Sequence, residues 1–375
     1  MNRIQSRSPY FIKHAETDLV SMIVQLYIYT GEQTVDRPSG AATYQLQIDA
    51  YNEECIFDAS EIIEGYINIE FNGVYNSQMV WIDYFITPTT TAGQQAIEPV
   101  VQLEAYEGFR YFEEGAQNIS RADDTNKVLF SNNCIYKGDD ASVRIPVIAD
   151  STYDVTYVKD GKSIYTESVT SSVESTGRIK YISNDPINGV DNYSERVLAD
   201  GGSIEESYCL ESFLGTVDLY DLDYILVGDA KIEIKNSHCS KYDSYKITFV
   251  NKFGALQDVY FNGKSSQSMR VKSESKYRSN TLVSDSYSIN KHNTRMLTKN
   301  GVDTIELSTG FINESYYNVF KELELSKQVW IEKDGLTLPI TLKDGSFKYK
   351  TSLNDKTISY KTVAEFSFNT ISNIR

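Results

Sequence analysis

The residues that could bind a metal ion are few and far apart in this chain of 375 residues. Its histidines, His14, His238 and His292, stand in polar stretches without the H-x-x-x-H or H-E-x-x-H spacing that places two ligands on one helix face. His238 and Cys239 are adjacent, but no other ligand type stands near them, so chance is the favoured explanation. The sequence therefore predicts no metal site.

Acidic residues offer a second kind of chemistry. Asp218, Asp221 and Asp223 in V-D-L-Y-D-L-D-Y could donate to calcium, but they alternate with Leu and Tyr like the acidic face of a strand or turn. The glycine and the final glutamate of an EF-hand loop are missing. No P-loop, G-x-S-x-G or G-x-G-x-x-G motif occurs. We therefore predict no catalytic residue, no cofactor and no enzymatic activity, with glycoside cleavage by paired carboxylates as an alternative.

Charge and cysteine usage narrow the possible partners. The formal net charge of −16 argues against nucleic acid or an anionic membrane held by general electrostatics. Residues 241–300, however, are rich in Lys and Arg, which indicates either a basic surface that meets an acidic one on a neighbouring subunit or a solvated face. The four cysteines are far apart and are expected to be free thiols. They are Cys55, Cys134, Cys209 and Cys239.

Targeting signals are not expected either. No run of eighteen apolar residues occurs, so the sequence predicts no membrane span. The opening M-N-R-I-Q-S-R-S-P lacks the apolar core of a signal peptide, which indicates synthesis in the cytoplasm.

The composition predicts a mainly β fold with several domains. The chain has 28 Tyr and only seven Pro, which is typical of extended structure with half-buried rings. We expect an N-terminal β-domain with a short helix at 1–138, an immunoglobulin-like β-sandwich at 139–215 and a C-terminal β-domain at 216–375. The middle domain shows short strands about every ten residues, including a hairpin turn at Lys159–Lys162. In the last domain, residues 265–300 predict a long exposed hairpin or loop.

The best helical pattern lies in the C-terminal domain, at residues 313–326. Tyr316, Val319, Phe320 and Leu323 form one apolar stripe. The charged positions predicted to face water are Glu314, Lys321, Glu322 and Glu324. Asn313 is the predicted N-cap. The pattern indicates a helix that packs against a sheet.

Each of the two tryptophans lies in a tetrapeptide that follows a predicted helix, and the two tetrapeptides are similar: V-W-I-D at Val80–Asp83 and V-W-I-E at Val329–Glu332. The earlier helix is predicted at 58–65, with Asp58 as its cap and Glu61 three residues on. Two related β-domains would explain the similarity of these tetrapeptides, but four residues rich in strand formers also match by chance.

Several short sequence segments resemble segments of virion proteins of tailed bacteriophages. They are Ser8–Tyr10 with Leu26–Gly31, then Phe57–Ile63, and finally Leu325–Ile331. The resemblance is to tail, neck-ring and baseplate proteins of phages that infect Bacteroidota, including crAss-like phages. Residues 110–240 show no such resemblance.

The resemblance implies a structural subunit of a closed homo-oligomeric ring in the tail or neck. It also implies β-sandwich domains, the last of them tail-tube-like with one packed helix, and neighbouring virion proteins as partners. Such a protein would be made in the host bacterial cytoplasm and would then be located in the virion. Two alternatives stay open: a carbohydrate-binding or host-recognition module whose aromatic rings stack on sugars, and a glycan-cleaving enzyme.

Overall fold

The mainly β prediction is confirmed: strands account for 54% of the residues and helices for 7%. The computed structural model describes residues 2–33, 35–76, 78–115, 127–138, 142–170, 178–183, 222–236, 241–278, 282–283, 286–287, 289–343 and 357–371. The chain forms two compact units, which fits the expected multidomain organisation. The first unit comprises Met1–His238, Thr248–Val259 and Ser315–Lys327, and the second comprises Cys239–Ile247, Tyr260–Glu314 and Gln328–Arg375. The division into three domains at 138 and 215 stays a prediction.

The first unit contains a six-stranded sheet built around two eleven-residue strands. These central strands are β3 (Leu19–Tyr29) and β6 (Val80–Thr90), which pair antiparallel. The other members are β1 (Asn2–Gln5), β4 (Tyr44–Asp49), β7 (Gly93–Gln94) and β8 (Val101–Tyr106). The order is β1-β8-β6-β3-β4, with β7 beside β6 and β1 parallel to β8.

One face of this sheet forms an apolar core because its strands alternate. Met22, Val24 and Leu26 of β3 are fully buried there. A two-stranded sheet of β2 (Phe11–Ala15) and β5 (Glu54–Asp58) and the helix α1 (Ser60–Glu64) contribute to the same core. The predicted cap of this helix is displaced: Asp58 ends β5, and its Oδ1 accepts hydrogen bonds from the backbone N–H groups of Ser60 (3.0 Å) and Tyr10 (3.1 Å).

The first unit also contains a five-stranded sheet, of order β12-β11-β14-β15-β9. Its strands are β9 (Cys134–Lys137), β11 (Tyr153–Lys159), β12 (Lys162–Val169), β14 (Tyr224–Val227) and β15 (Ala230–Asn236). A separate pair joins β10 (Arg144–Ile148) to β13 (Ile179–Ser183). The predicted hairpin turn between β11 and β12 is confirmed, with Asp160 and Gly161 both at positive φ.

The second unit holds most of a seven-stranded sheet, of order β17-β16-β23-β24-β26-β21-β18. Its strands are β16 (Tyr245–Val250), β17 (Leu256–Phe261), β18 (Ser266–Arg278), β21 (Thr294–Ser308), β23 (Val329–Lys333), β24 (Leu336–Leu342) and β26 (Lys361–Phe366). Two small pairs complete the unit: β19 (Leu282–Val283) with β20 (Ser286–Tyr287), and β22 (Ile312–Asn313) with β25 (Thr357–Ile358). The unit thus supplies two unusually long strands, β18 and β21.

The helix predicted at 313–326 is present as a 3-10 turn, Glu314–Tyr316, followed by α2 (Tyr317–Leu325). Val319, Phe320 and Leu323 are buried, as the apolar stripe predicts. The prediction for Glu322 is wrong, because this side chain is fully buried instead of facing water.

Glu322 is buried because the surrounding chain supplies hydrogen-bond donors to its carboxyl group. The Ser131 hydroxyl donates to Oε1, and the backbone N–H of Lys252 donates to Oε2 at 3.2 Å. Burial raises the pKa of the Glu322 carboxyl above its usual range, and these hydrogen bonds offset the rise only in part.

Trp81 and Trp330 are both buried, 2% and 8% exposed, which leaves neither indole available to stack on a ligand. The Trp81 Nε1–H donates to the carbonyl oxygen of Gly31 at 2.8 Å. Cys55 and Cys134 are buried free thiols, as expected, whereas Cys209 and Cys239 lie outside the described residues. Among the helices described, none is long and apolar enough to cross a membrane.

The Glu322 site predicts a specific pH dependence of stability. The pKa of Glu322 is higher in the folded state than in the unfolded state, so the folded state keeps this proton to higher pH. The unfolding free energy of the protein therefore falls as pH rises through the raised pKa. Each unit of that rise costs about 1.4 kcal/mol at high pH. We expect Glu322→Gln to gain unfolding free energy relative to the parent between about pH 5 and about pH 8, measured by urea unfolding.

The matched control is Glu61→Gln on α1, where the side chain is exposed. Its difference from the parent should stay within about 0.5 kcal/mol across the same pH range. A Glu322→Gln difference that is flat with pH, or that shrinks as pH rises, would contradict the assignment.

Candidate interaction surface

The sequence-predicted site residues do not converge in the structure. His14 contacts Glu98 (Nδ1 to Oε1, 2.8 Å) and Glu16 (Nε2 to Oε2, 3.6 Å), while His292 and Asp223 are exposed. His238, Cys239, Asp218 and Asp221 lie outside the described residues. Within the described part of the chain, no three His, Cys, Asp or Glu side chains are grouped so that they could hold a metal ion.

Two carboxyl groups of the six-stranded sheet are buried but are held by arginines. Asp83 forms an ion pair with Arg37 (Oδ2 to Nε, 2.6 Å), and Glu104 forms one with Arg178 (Oε1 to Nε, 2.8 Å). Burial raises the pKa of both carboxyl groups, and the guanidinium groups lower it again in part. A raised carboxyl pKa is typical of a general acid, but an ion pair of this kind is also an ordinary way to satisfy a buried charge. Neither carboxyl therefore identifies a catalytic site.

The most distinctive surface is a long two-stranded ribbon in the second unit. We define the ribbon as β18, residues 266–278, with residues 294–303 of β21. β18 is the last strand of the seven-stranded sheet, and its register with β21 runs from Ser266–Glu306 to Arg278–Thr294. Residues 273–278 and 294–299 pair with each other, and no other described strand pairs with them.

Both faces of β18 are exposed wherever its side chains are described. Every described side chain of 266–278 is exposed, although a strand in a packed sheet normally buries one face. Met269, Val271 and Tyr277 stand at alternate positions on one face and are 54%, 48% and 45% exposed. The opposite face carries a row of cations, Arg270, Lys272, Lys276 and Arg278. β18 by itself therefore carries apolar side chains on one face and cations on the other. On β21, Arg295 lies opposite Tyr277 and Lys299 lies opposite Ser273, so cations occur on both faces of the ribbon.

The charge of the ribbon opposes that of the chain. Residues 268–300 contain seven basic and two acidic residues, in a chain whose net charge is −16. The sequence indicated this basic stretch, but it could not show that the cations share one face of a strand.

A groove of about 530 Å³ opens beside the ribbon, within the second unit. It is lined by Lys272, Val302, Thr341, Leu342, Lys343, Glu365, Phe366, Ser367, Phe368 and Asn369. Glu365 lies 3.5 Å from Lys343 Nζ and 3.8 Å from Arg270 Nη2, so one carboxylate faces more than one cation. The rings of Phe366 and Phe368, with centroids 5.5 Å apart, supply the apolar part.

No protein-family model matches this chain, and no curated protein or solved structure matches it either.

The ribbon should be the first place where a protease cuts the isolated protein. Trypsin needs a segment that can leave its strand, and a two-stranded ribbon with exposed faces loses little when it opens. We expect the earliest cuts after Lys276, Arg278, Lys291, Arg295 or Lys299, identified by mass spectrometry of the first fragments.

The two-residue hairpin at Lys159–Lys162 provides the internal comparison, because it also carries lysines at a turn but belongs to a five-stranded sheet. If this hairpin is cut first, or if the ribbon survives as long as the strand Val329–Lys333, then the ribbon does not open more easily than the rest of the chain and the prediction is wrong.

Proposed function

We propose that the protein is a structural virion protein of a tailed bacteriophage and acts as a subunit of a homo-oligomeric ring in the tail or neck. The observation that carries the proposal is β18 of the ribbon, a thirteen-residue edge strand whose described side chains are exposed on both faces. The assignment to a phage rests on the sequence segments that resemble virion proteins: Ser8–Tyr10, Leu26–Gly31, Phe57–Ile63 and Leu325–Ile331. Its function is then assembly, without covalent chemistry.

The ribbon supports assembly for a physical reason. A two-stranded hairpin alone is marginally stable in water, and an edge strand leaves backbone N–H and C=O groups available for another strand. Pairing with a strand of a second copy would satisfy those groups, and covering Met269, Val271 and Tyr277 would remove apolar surface from water.

A ring requires a contact between two different surfaces of the same protein. Such a head-to-tail contact closes when its rotation divides the circle, and otherwise produces a filament. The basic ribbon and the acidic remainder of the chain are suited to this arrangement, because the ribbon of one copy attracts the acidic surface of the next and repels another ribbon.

Within this proposal, the finer fold assignments also apply. The five-stranded sheet with its β11–β12 hairpin would belong to an immunoglobulin-like sandwich, and the seven-stranded sheet would be the tail-tube-like sheet. Neighbouring virion proteins would contact the ring, the protein would be made in the host cytoplasm, and it would reside in the virion.

Replacing the apolar ribbon residues by lysine should prevent assembly without unfolding the chain. Met269 and Val271 are exposed, so Met269→Lys with Val271→Lys adds no buried charge to the subunit. We expect rings with rotational symmetry from the parent protein in electron micrographs. The double variant should associate at least about tenfold more weakly in sedimentation velocity, because lysines would be desolvated in the contact.

Leu336→Lys provides the matched control, because Leu336 is 61% exposed in the same unit but lies outside the ribbon. It should assemble like the parent. A parent protein that stays monomeric at all concentrations and in phage particles, or a double variant that assembles normally, would overturn the proposal.

Glycan binding is a second candidate, favoured by the face of the six-stranded sheet opposite its apolar core. There, the half-buried rings of Tyr27 and Phe85 meet edge to face with centroids 5.8 Å apart. Beside them, Gln25 Nε2 donates to Gln45 Oε1 at 3.2 Å. Aromatic rings with amide groups suit the mixed apolar and hydroxyl surfaces of a neutral sugar. Glycan cleavage gains no comparable support, because Arg37 and Arg178 hold the two buried carboxyl groups of this sheet.

Glycan binding by this face would depend on Tyr27. On an array of host surface glycans, Tyr27→Ala should lose binding by about tenfold or more, since an aromatic contact is worth roughly 1 kcal/mol beyond its buried area. Tyr51→Ala, which removes an 81% exposed tyrosine from the same unit, is the control. Absence of binding by the parent, or equal binding by both variants, would exclude this candidate.

A further inference from the structure

We propose that the groove beside the ribbon receives residues 203–214 of a second copy of the chain, S-I-E-E-S-Y-C-L-E-S-F-L. This inference rests on the proposed function, because it requires copies that meet in a ring, and it names the segment that one copy inserts into the next. The groove is described by the structure, whereas the segment lies outside the described residues and enters by its sequence alone.

The groove combines cations with apolar surface. Lys272 and Lys343 line it, and Glu365 is the carboxylate that Lys343 and Arg270 share. Phe368 is 43% exposed and supplies aromatic surface, and the ring of the buried Phe366 lies beside it with a centroid distance of 5.5 Å. A ligand that matches this lining carries carboxylates for the lysines and apolar side chains for the phenylalanines. An extended acidic peptide has both.

Residues 38–109 are acidic and lack Lys and Arg, but they form described elements of the first unit. A second acidic stretch lies mainly outside the described residues. From residue 197 to residue 230 there are eight acidic residues and no Lys or Arg. Within it, residues 203–214 combine three carboxylates with five apolar or aromatic side chains. The carboxylates are Glu205, Glu206 and Glu211, and the others are Ile204, Tyr208, Leu210, Phe213 and Leu214.

The match between groove and segment is one of composition. The carboxylates of the segment suit the lysines of the groove, and its apolar and aromatic side chains suit the exposed ring of Phe368. Charge would then select the segment, and burial of apolar surface would hold it.

The test places a photo-crosslinking benzoylphenylalanine at Phe368 in the full-length chain, where one aromatic side chain replaces another. Light and isotopically heavy copies are mixed, assembled and irradiated, and tryptic peptides are analysed by mass spectrometry. Trypsin has no site between Arg196 and Lys231, so the proposed partner segment gives one peptide, 197–231. We expect crosslinks from Phe368 to this peptide, including mixed light–heavy products.

The same crosslinker at Phe311, which is 83% exposed in the same unit but does not line the groove, is the control and should not capture 197–231. Crosslinks from Phe368 to other peptides only, or products without any light–heavy mixing, would overturn the inference.

A charge exchange tests the same contact by affinity. Lys272→Glu with Lys343→Glu should weaken association at least tenfold. Adding Glu205→Lys and Glu211→Lys to the same chain should recover most of the lost affinity. If the lysine substitutions had unfolded the chain instead, these further substitutions would not recover it. Rings that form normally in micrographs while both tests fail would refute the inserted segment and leave the proposed ring intact. Absence of rings together with absence of mixed crosslinks would refute both.

Discussion

Backbone hydrogen bonding is the constraint on which this structure depends, because a chain made mainly of strands must pair almost every N–H and C=O group that it removes from water. Interior strands such as β3 and β6 satisfy both edges within their sheet. A terminal strand satisfies one edge only. Most described edge strands are short: β1 has four residues, and β4 has six. β18 has thirteen, so the largest unpaired edge of the described sheets is concentrated in one element.

A second physical requirement, that buried polar groups be hydrogen-bonded, shapes the first unit. Asn251 is fully buried, and its side chain makes four hydrogen bonds, which is all that an amide can make. It donates to Leu129 O and Gln257 Oε1, both at 2.9 Å, and it accepts from the backbone N–H groups of Phe253 at 3.0 Å and Ala255 at 3.1 Å.

The neighbouring turn depends on a glycine and on Glu322. Gly254 has φ +79°, and a Cβ there would lie 2.5 Å from Tyr106 Cβ, so only glycine fits. The backbone N–H of Lys252 in the same turn donates to the buried Glu322 carboxyl. Three stretches that are distant in sequence, around residues 130, 252 and 322, are thereby fixed to one another through polar contacts, which specify one arrangement where apolar packing alone allows several.

Local signals in the sequence predicted the local structure well. The turns at Asp160–Gly161 and Asp334–Gly335 were predictable because two successive residues at positive φ favour this sequence. The apolar stripe of α2 was predictable from its period. The burial of Glu322 was not, because its partners come from residues 131 and 252, and no pattern within the helix records them.

Non-local features explain the remaining differences. The parallel pairings of β1 with β8 and of β9 with β15 join strands about a hundred residues apart, and alternation within a strand does not identify its neighbour. For the candidate surface, the sequence showed that residues 265–300 are polar and basic. It did not show that residues 266–278 form one continuous strand at the edge of a sheet, which is what places Met269, Val271 and Tyr277 on one face by alternation.

The cations of the ribbon have two physical consequences that are compatible with each other. Lysine on an edge strand discourages indiscriminate pairing with other strands, and that protection alone would explain Lys272 and Lys276. Protection does not explain the opposite face, where exposed Met269, Val271 and Tyr277 would favour aggregation instead. An edge strand such as β18, with apolar side chains on one face and cations on the other, would favour a partner strand that is acidic and apolar. In the proposed ring, charge would determine which partner binds, and apolar burial with backbone pairing would provide the affinity.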